Sequence, residues 1–331
     1  MQVSVIIPTY NRPDAIIKLL DTLAAQTLPA DQFEVVVVDD GSDYDPERVQ
    51  QKSYPFAWRY LRQENSGATV ARNYGASFCS GEVLVVIDDD VTVEPPALAA
   101  LAELCLREDR ALVMGTLISR SVAQPPSPFT ATVLESINQF EHAGSGDGQD
   151  REVHFSWCNT QLLAVRREDF FALGMLQDPT GGWPNWDDVD FGYRAHLAGF
   201  RLLQSGRATG YHWDNSLRSL EAACNRWQRA ARSAVQLFAA HPGLQPHLPM
   251  LADKLPVNWR QDHPRLIVRK LVRRLTTVPP VLNALEGLSR LLERDFPRNK
   301  QRLAPLYLWI QGAYMSRGYY EGLQAAAWRK H

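Results

Sequence analysis

The chain has 331 residues, 45% of them hydrophobic, and this length can bury the core of one large domain or of two moderate ones. Its formal net charge of −2 lacks the positive excess that nucleic-acid-binding proteins use, so we expect no nucleic-acid partner. The charge is nevertheless uneven. Fourteen Lys and Arg against five Asp and Glu give residues 258–331 a net charge of +9, which leaves −11 for the remainder. The sequence therefore predicts an acidic main part and a basic C-terminal part.

Cysteine usage and hydropathy indicate the compartment. None of the four cysteines forms a CxxC pair or stands at metal-finger spacing, which favours buried, inert thiols in a reducing compartment; they are Cys79, Cys105, Cys158 and Cys224. Met1 leads almost directly into an apolar run without a basic segment, unlike a secretory signal. No apolar stretch approaches the roughly 18 residues of a membrane span. We expect a cytoplasmic protein that at most lies peripherally on the inner face of a membrane.

The first 120 residues alternate short apolar runs with helical patterns. The runs that predict strands are Val3–Ile7, Glu34–Val38, Trp58–Leu61, Val83–Ile87 and Ala111–Ile118. The segments that predict helices are Pro13–Thr27, Gly67–Cys79 and Pro95–Arg107. This order predicts a Rossmann-like α/β fold, in which helices cover both faces of a mostly parallel sheet. In such sheets ligands bind beyond the carboxyl ends of the strands.

The second half of the chain is less regular. Ser119–Asp150 contains proline- and glycine-rich stretches around a short helix near Thr130–Phe140, and a long loop of this kind often forms a lid. Asp187–Ala198 is predicted to be a helix and Arg201–Gln204 a strand. From Leu217 onward the pattern is mostly helical. The sequence therefore predicts a helical C-terminal extension.

Carboxylates follow two of the apolar runs. Asp88, Asp89 and Asp90 come directly after one predicted strand, and Asp40 belongs to the Asp-Asp-Gly-Ser turn after another. Adjacent carboxylates repel each other, and a divalent cation such as Mg²⁺ or Mn²⁺, which prefers oxygen ligands, relieves that repulsion. A solvated acidic turn is the alternative for either cluster taken alone. Paired carboxylates at two strand ends favour a metal and ligand site.

A third acidic cluster follows two tryptophans, Trp183 and Trp186. Asp187, Asp188 and Asp190 stand near a predicted helix start, where ordinary N-terminal capping would also explain them. Aromatic rings commonly stack on sugar rings, and a carboxylate beside them can act as a general base on a hydroxyl group. The cluster is thus either a helix cap or part of a sugar site. For His212, farther along, a core position and a ligand role both stay open.

The motifs together resemble those of a known family. They are Val3–Asn11, Val35–Ser42, Asn65–Gly67, Ala71–Gly75, Gly81–Glu82, Asp88–Asp90, Trp186–Arg194 and Ala198–Phe200. In this order they resemble the inverting glycosyltransferases of family 2, which have the GT-A fold, including bacterial enzymes of polysaccharide and glycolipid synthesis. The resemblance implies a GT-A domain over residues 1–215, with a nucleotide-binding half at about 1–118 and an acceptor half at about 119–215. Residues 216–331 share only a helical pattern and form the helical extension.

The resemblance also implies a role for each matching residue. Asp188 would be the general base, and Asp187 stands where the family usually has Glu. The expected contacts of the donor nucleotide are Pro8, Tyr10, Asn11, Asp40, Asn65, Arg72, Asp88 and Asp89. The expected ligands of Mn²⁺ or Mg²⁺ are Asp90, Asp88 and His212, and the expected acceptor contacts are Trp183, Trp186 and Asp187.

The implied reaction is metal-dependent transfer of a sugar from a UDP-, dTDP- or GDP-linked donor to an acceptor hydroxyl, with inversion at the anomeric carbon. The expected acceptor is a glycan or a lipid-linked glycan of the cell envelope. One rival is a non-catalytic glycan-binding relative or complex subunit, which the intact Asp88, Asp90 and Asp188 disfavour. The other is a sugar nucleotidyltransferase, which usually has a glycine-rich loop where this chain has Pro8–Arg12.

The basic C-terminal part has two interpretations of its own. Between Arg265 and Leu275, five basic residues alternate with apolar ones. A solvated helical face over an ordinary core would show this pattern. A helix that lies on a membrane surface or contacts a lipid diphosphate would show it too.

Overall fold

A computed structural model of the protein describes residues 2–141, 148–180, 186–295 and 300–328. The chain divides into two compact units. The first, the sheet unit, comprises Met1–Arg120 and Asn138–Trp213, and the second, the helical unit, comprises Ser121–Ile137 and Asp214–His331. The segment Ser121–Ile137 thus leaves the sheet unit and packs with the C-terminal helices, although it precedes them by some eighty residues.

The described part of the sheet unit contains nine strands in one sheet. They are β1 (Val3–Thr9), β2 (Phe33–Asp39), β3 (Ala57–Arg62), β4 (Val83–Ile87), β5 (Val91–Val93), β6 (Ala111–Ser119), β7 (Arg151–Val153), β8 (Leu162–Arg166) and β9 (Arg201–His212). Their order is β3-β2-β1-β4-β8-β6-β9-β5, and β7 also pairs with β9. Strands β1, β2, β3, β4, β6 and β9 run in one direction, and β5, β7 and β8 run against them. The expectation of a mostly parallel α/β sheet is confirmed.

Helices cover both faces of this sheet because its central strands are apolar on both sides. In β1, Val5 and Ile7 enter one buried cluster and Ile6 enters the other. The helices with residues in the sheet unit are α1 (Pro13–Leu23), α2 (Glu47–Gln50), α3 (Ala68–Ser77), α4 (Ala97–Arg107), α6 (Arg167–Ala172), α7 (Asp187–Leu197) and the end of α5 (Pro128–Glu141). Helices α1 and α4 pack with Val5 and Ile7, and α3, α6 and α7 pack with Ile6.

In its described residues, the helical unit contains the start of α5 and four further α-helices. These are α8 (Leu220–Ala240), α9 (Pro264–Thr276), α10 (Pro279–Asp295) and α11 (Lys300–Trp328). One buried cluster includes Phe129, Leu217 and Tyr307, and a second includes Cys224 and Ile310. The expected helical extension is therefore present. Within the part of the chain that the structure describes, no helix is long and apolar enough to cross a bilayer.

Several expectations differ from the observed elements. Strand β8, between β4 and β6, was not predicted, and β9 continues to His212 instead of ending at Gln204. The expected lid segment Ser119–Asp150 contains the fourteen-residue helix α5, while residues 142–147 of that segment lie outside the described residues.

All four cysteines are buried and free, as the sequence predicts.

The packing of α3 on the sheet gives the first testable prediction. A Cβ atom on Gly75 would lie 2.8 Å from Cγ2 of Ile6 and 3.0 Å from Cγ2 of Val38. Gly287 in α10 is a matched control, because a Cβ there would meet no described atom within 4 Å. Both glycine-to-alanine changes carry the same gain in helix propensity. We therefore expect the free energy of unfolding of Gly75→Ala to be lower than that of Gly287→Ala by about 1–3 kcal/mol.

Urea denaturation followed by circular dichroism measures this difference. Equal midpoints and slopes for the two variants would show that α3 does not approach the sheet as closely as the structure has it.

Candidate active site

The polar clusters of the sequence gather at one edge of the sheet. Strands β1, β2, β4 and β9 run in the same direction, so their carboxyl ends meet there. The turn Asp88–Asp90 follows β4, and Asp40 follows β2. Strand β5 starts from the Asp88–Asp90 turn, and its Val91 pairs with His212 at the end of β9. The sheet thereby brings together residues that are more than 120 positions apart in the chain.

The turns after β1 and β2 are fixed to each other. The backbone N–H of Asn11 donates to Oγ of Ser42 (2.8 Å), and the N–H of Asp43 donates to Oδ1 of Asn11 (2.7 Å). Asn11 has a φ of 56°, a left-handed conformation that Asn tolerates better than most residues. Pro8 is buried within β1, and Tyr10 is exposed at the edge. Of the predicted nucleotide contacts on this turn, Tyr10 and Asn11 are therefore exposed, whereas Pro8 is buried.

Asp40 anchors the loop that leads into α3. Its Oδ1 accepts hydrogen bonds from Nε2 of Gln63 and from the N–H of Ser66, and its Oδ2 accepts one from the N–H of Gly67, each at 2.8 Å. A carboxylate can accept about four hydrogen bonds, so one acceptor position is left by these three. The contacts fix the start of α3 relative to β2.

Gly41 allows that loop to come close. Its φ is +80°, and a Cβ atom there would lie 2.8 Å from the backbone nitrogen of Asn65. A larger residue would meet both the strained backbone and this contact. Asn65 itself is exposed on the loop, where its side chain is accessible to a ligand.

Arg72 of α3 is the centre of the site. It is buried, and it donates through Nη2 to Oδ1 of Asp88 (2.6 Å) and through Nη1 to Oδ2 of Asp187 (3.1 Å). Oγ1 of Thr69 also donates to Oδ2 of Asp187 (2.8 Å). Burial by itself lowers the pKa of the Arg72 guanidinium, but the two carboxylates raise it by more, so the net shift is upward. One cation thus connects the end of β4 to the start of α7.

Asp187 and Asp188 are neighbouring carboxyl groups at the start of α7. Burial raises the pKa of Asp187, with Arg72 and Thr69 acting in the opposite direction. Burial, followed by the negative charge of Asp187, raises the pKa of Asp188 to about 7, although the N–H of Val189 donates to its Oδ1 (2.7 Å). Asp188 is partly exposed, whereas Asp187 is buried. The pKa values of both carboxyl groups are therefore shifted upward, and Asp188 is the more accessible member of the pair.

The remaining acidic residues of the β4 turn face a second arginine. Nη1 of Arg12 donates to Oδ1 of Asp89 (3.0 Å) and to Oδ2 of Asp90 (2.8 Å). Oγ1 of Thr9 donates to Oδ2 of Asp89 (2.7 Å). Burial raises the pKa of Asp89 to about 6, and the charge of Arg12 opposes that shift. The three consecutive carboxylates are thus divided between Arg72 and Arg12.

The predicted metal ligands are only partly brought together. Oδ1 of Asp90 lies 3.5 Å from Nε2 of His212, whereas Asp88 faces Arg72. Nε2 of Gln161 lies 3.2 Å from Nδ1 and 3.1 Å from Nε2 of His212. Within residues 2–141, 148–180, 186–295 and 300–328, no group of three or more His, Cys, Asp or Glu is placed to hold a metal ion on its own. Asp90 and His212 are thus adjacent, and a carboxylate oxygen and an imidazole nitrogen are atoms of types that divalent cations bind, although Asp90 also accepts from Arg12.

The predicted acceptor residues have different environments. Trp183 lies outside the described residues. Trp186 is buried, so its ring is packed and does not present a free face for stacking. Asp187 points to Arg72, as described above. Asp190 is buried, and its Oδ2 accepts from Nε of Arg194 (2.7 Å), an interaction within α7.

Sequence reasoning did not identify Arg12, Thr69 or Gln161 as site residues. Arg12 could have been found, because it follows the end of a strand at the same edge as the acidic turn. Thr69 and Gln161 carried no such signal. Gln161 directly precedes β8, which was not predicted. Thr69 belongs to the site because it donates to Asp187, 118 positions away.

Comparison with known sequences supports the resemblance. Residues 4–159 match Glycosyl transferase family 2. Two validoxylamine A glucosyltransferases from subspecies of Streptomyces hygroscopicus are 30% identical over 273 residues, which is 74% of this chain. A glucosyl-dolichyl phosphate glucuronosyltransferase from Haloferax volcanii is 31% identical over 186 residues, 55% of this chain and 58% of that protein. The chain spans 62% and 58% of the lengths of the two Streptomyces enzymes.

The fold matches that of solved glycosyltransferase structures. The mannosyltransferase PcManGT from Pyrobaculum calidifontis, in complex with GDP-Man and Mn²⁺, superposes with a TM-score of 0.60 at 19% sequence identity. The match covers 96% of this chain and 86% of that one. At this identity the similarity concerns the fold. Residues 4–159 of the chain thus match the model of Glycosyl transferase family 2, and the fold is similar to that of the GT-A glycosyltransferases.

Proposed function

We propose that the protein is an inverting glycosyltransferase that uses a nucleotide-sugar donor, a divalent metal and Asp188 as general base. The observation that carries the proposal is the cluster in which Arg72 joins Asp88, at the carboxyl end of β4, to Asp187, next to Asp188 at the start of α7. A partly exposed carboxylate with a pKa near 7 therefore lies at the sheet edge where ligands of this fold class bind. Measuring transfer and hydrolysis of a panel of nucleotide sugars in the presence of Mn²⁺ tests it.

The donor would bind across the turns after β1, β2 and β4. The residues proposed to contact its nucleotide are Pro8, Tyr10, Asn11, Asp40, Asn65, Arg72, Asp88 and Asp89. Tyr10 and Asn65 are exposed, and Asp40 retains an acceptor position for a base N–H. The structural neighbour with GDP-Man supports a nucleotide-diphosphate donor as a class, which includes UDP-, dTDP- and GDP-linked sugars.

Asp90 and His212 are the residues that we propose as metal ligands. Their ligand atoms are 3.5 Å apart, and Mn²⁺ and Mg²⁺ commonly take one or two protein ligands together with phosphate oxygens of the substrate. Asp88 becomes a third ligand only if its carboxylate leaves Arg72 and binds the cation instead. The Mn²⁺ in the complex of the structural neighbour is consistent with this choice. When bound, the cation would supply charge that stabilises the diphosphate leaving group.

The protein's own groups account for the proton transfer. The acceptor oxygen attacks the anomeric carbon from the face opposite the diphosphate, while the carboxylate of Asp188 takes the proton of the hydroxyl group. The bond from the anomeric carbon to the diphosphate oxygen breaks, and its electron pair leaves with the diphosphate. Because attack and departure are on opposite faces, the configuration inverts. Arg72 holds Asp187 in place and opposes the rise in its pKa that burial causes, and the negative charge of Asp187 raises the pKa of Asp188.

The proposed acceptor is a hydroxyl of a glycan or lipid-linked glycan, as in synthesis of cell-envelope polysaccharide. Support comes from the names of two relatives, one acting on validoxylamine A and one on a glucosyl-dolichyl phosphate. The described acceptor side of the site contains Asp187 and Trp186, both buried, so these residues would shape the pocket from beneath its surface.

The metal proposal predicts that donor binding depends on Asp90. Asp90→Asn should weaken the binding of UDP, GDP or dTDP in the presence of Mn²⁺ by at least about tenfold, because the neutral amide is a poor ligand. Activity of the unaltered enzyme should vanish with excess EDTA and return with Mn²⁺ or Mg²⁺. Calorimetry with each nucleotide measures the affinities, and the fully exposed Asp109→Asn is the control. Full activity in EDTA would contradict a metal role.

The base proposal predicts a loss of turnover without a loss of donor binding. Asp188→Asn keeps the size of the side chain but cannot take the proton, so transfer should fall by about 10²–10⁴-fold. Donor affinity should change little, since the proposed nucleotide contacts lie on other turns. Near-normal turnover in Asp188→Asn would move the role to Asp187. Joint loss of folding and donor binding would make this carboxylate a structural cap of α7.

The pKa of Asp188 predicts the pH dependence of transfer. A general base works in its deprotonated form, so the rate should rise with pH around a midpoint near 7. Asp187→Asn removes the neighbouring negative charge, which lowers the pKa of Asp188, so the midpoint should move to lower pH. Rates measured between pH 5 and 9 with both proteins provide the test. A midpoint that does not move would show that Asp188 is not the group that titrates.

A further inference from the structure

Two of the basic side chains of helix α9 are buried. It carries five basic residues and no acidic one. Lys270 is buried and donates through Nζ to Oδ2 of Asp262 (2.6 Å) and to the carbonyl of Pro256 (3.0 Å). Arg273 is also buried: it donates through Nη2 to Oδ2 of Asp253 (2.9 Å). These two cations are therefore neutralised within the helical unit and do not form an outer basic face.

Trp309 completes the environment of Arg273. Its carbonyl accepts from Nη1 (2.7 Å), and the guanidinium carbon lies 3.8 Å from the centre of its indole ring. Together with Asp253 this holds the basic side of α9 against the helical unit. The opposite side of α9 must consequently face outward.

That outward side is apolar. Val268, Leu271, Val272 and Leu275 follow the i, i+3, i+4, i+7 spacing of one helix face, and they are between 42% and 65% exposed. A contiguous apolar face of this kind is unfavourable in water and marks an interaction surface. We call these four residues the α9 ridge. The exposed apolar character continues after the helix with Val278.

Arginines stand on both flanks of the α9 ridge. With 3.6 residues per turn, Arg265 and Arg269 lie roughly 60° and 100° from Val268 on one side, and Arg274 lies roughly 120° away on the other. All three are exposed. Arg269 also donates to Asp253 (2.8 Å), and the guanidinium carbon of Arg274 lies 4.1 Å from the ring centre of Tyr320. An apolar ridge with cations on both sides is the arrangement of helices that lie in a membrane interface.

We propose that the α9 ridge inserts into the surface of an anionic lipid bilayer, with Arg265, Arg269 and Arg274 at the level of the phosphates. Arginines beside the ridge can extend their charged ends to the headgroups while the apolar side chains enter the acyl boundary. A second copy of this chain is a poorer occupant. Since α9 has no acidic residue, two such helices packed face to face would bring like charges together. The proposal goes beyond the glycosyltransferase function and does not depend on it.

Vesicle flotation of the full chain tests the proposal without any sugar transfer. Vesicles of phosphatidylcholine with phosphatidylglycerol should carry the protein upward, vesicles of phosphatidylcholine alone should carry far less, and recovery should fall as salt rises. Leu275→Gln should weaken binding about tenfold, because the burial of one leucine in the bilayer is lost. The double variant Leu271→Gln with Leu275→Gln should weaken it further, because the burial of two leucines is lost. Leu197→Gln is the matched control, since Leu197 in α7 and Leu275 are both 65% exposed.

Circular dichroism and thermal melting of each variant check that the fold is kept. Equal flotation with neutral and anionic vesicles, or none with either, would overturn the proposal. So would equal effects of Leu275→Gln and Leu197→Gln. Gel filtration without vesicles tests whether a second copy of the chain occupies the α9 ridge instead. A dimer that Leu275→Gln dissociates, together with no flotation, would assign the α9 ridge to self-association and not to lipid.

Discussion

The candidate site depends on one buried cation. Asp88, Asp187 and Asp188 come from two elements whose negative charges would repel each other if they met alone. Arg72 lies between them and pairs with Asp88 and Asp187. Removing one partner of a buried ion pair leaves an uncompensated charge, which is strongly destabilising. The approach of α7 to the end of β4, and with it the position of Asp188, therefore rests on this arginine.

The two arginines contact different carboxylates of the candidate site. Arg72 holds the carboxylates near the proposed base, whereas Arg12 contacts Asp89 and Asp90 on the side of His212. The three consecutive acidic residues are thus divided between two cations: Asp88 faces Arg72, whereas Asp89 and Asp90 face Arg12. Arg12 neutralises Asp89 and Asp90 on the side where the proposed cation would bind. Such a cation would meet carboxylates that Arg12 already holds in position.

The helical unit follows a different physical rule. In an ordinary amphipathic surface helix the charged residues face water and the apolar ones face the core. In α9 the partners Asp253, Asp262 and Trp309 hold Lys270 and Arg273 inside, and the apolar face is left outside. This inversion is stable because every buried cation has an acceptor. It creates an apolar surface that the bulk composition of the chain does not reveal.

The sequence by itself determined the local elements and the kind of site. Val83–Ile87 was predicted with its observed bounds, and the acidic turns at strand ends indicated where ligands bind, because strand and turn preferences act over a few residues. The tertiary structure alone decided the place of β8, the pairing of Arg72 with Asp187 and the outward face of α9. Each depends on partners far along the chain: Asp187 is 115 residues from Arg72, and Trp309 is 36 residues from Arg273. Periodicity shows that a helix has two faces, but only the groups that pack against it decide which face is buried.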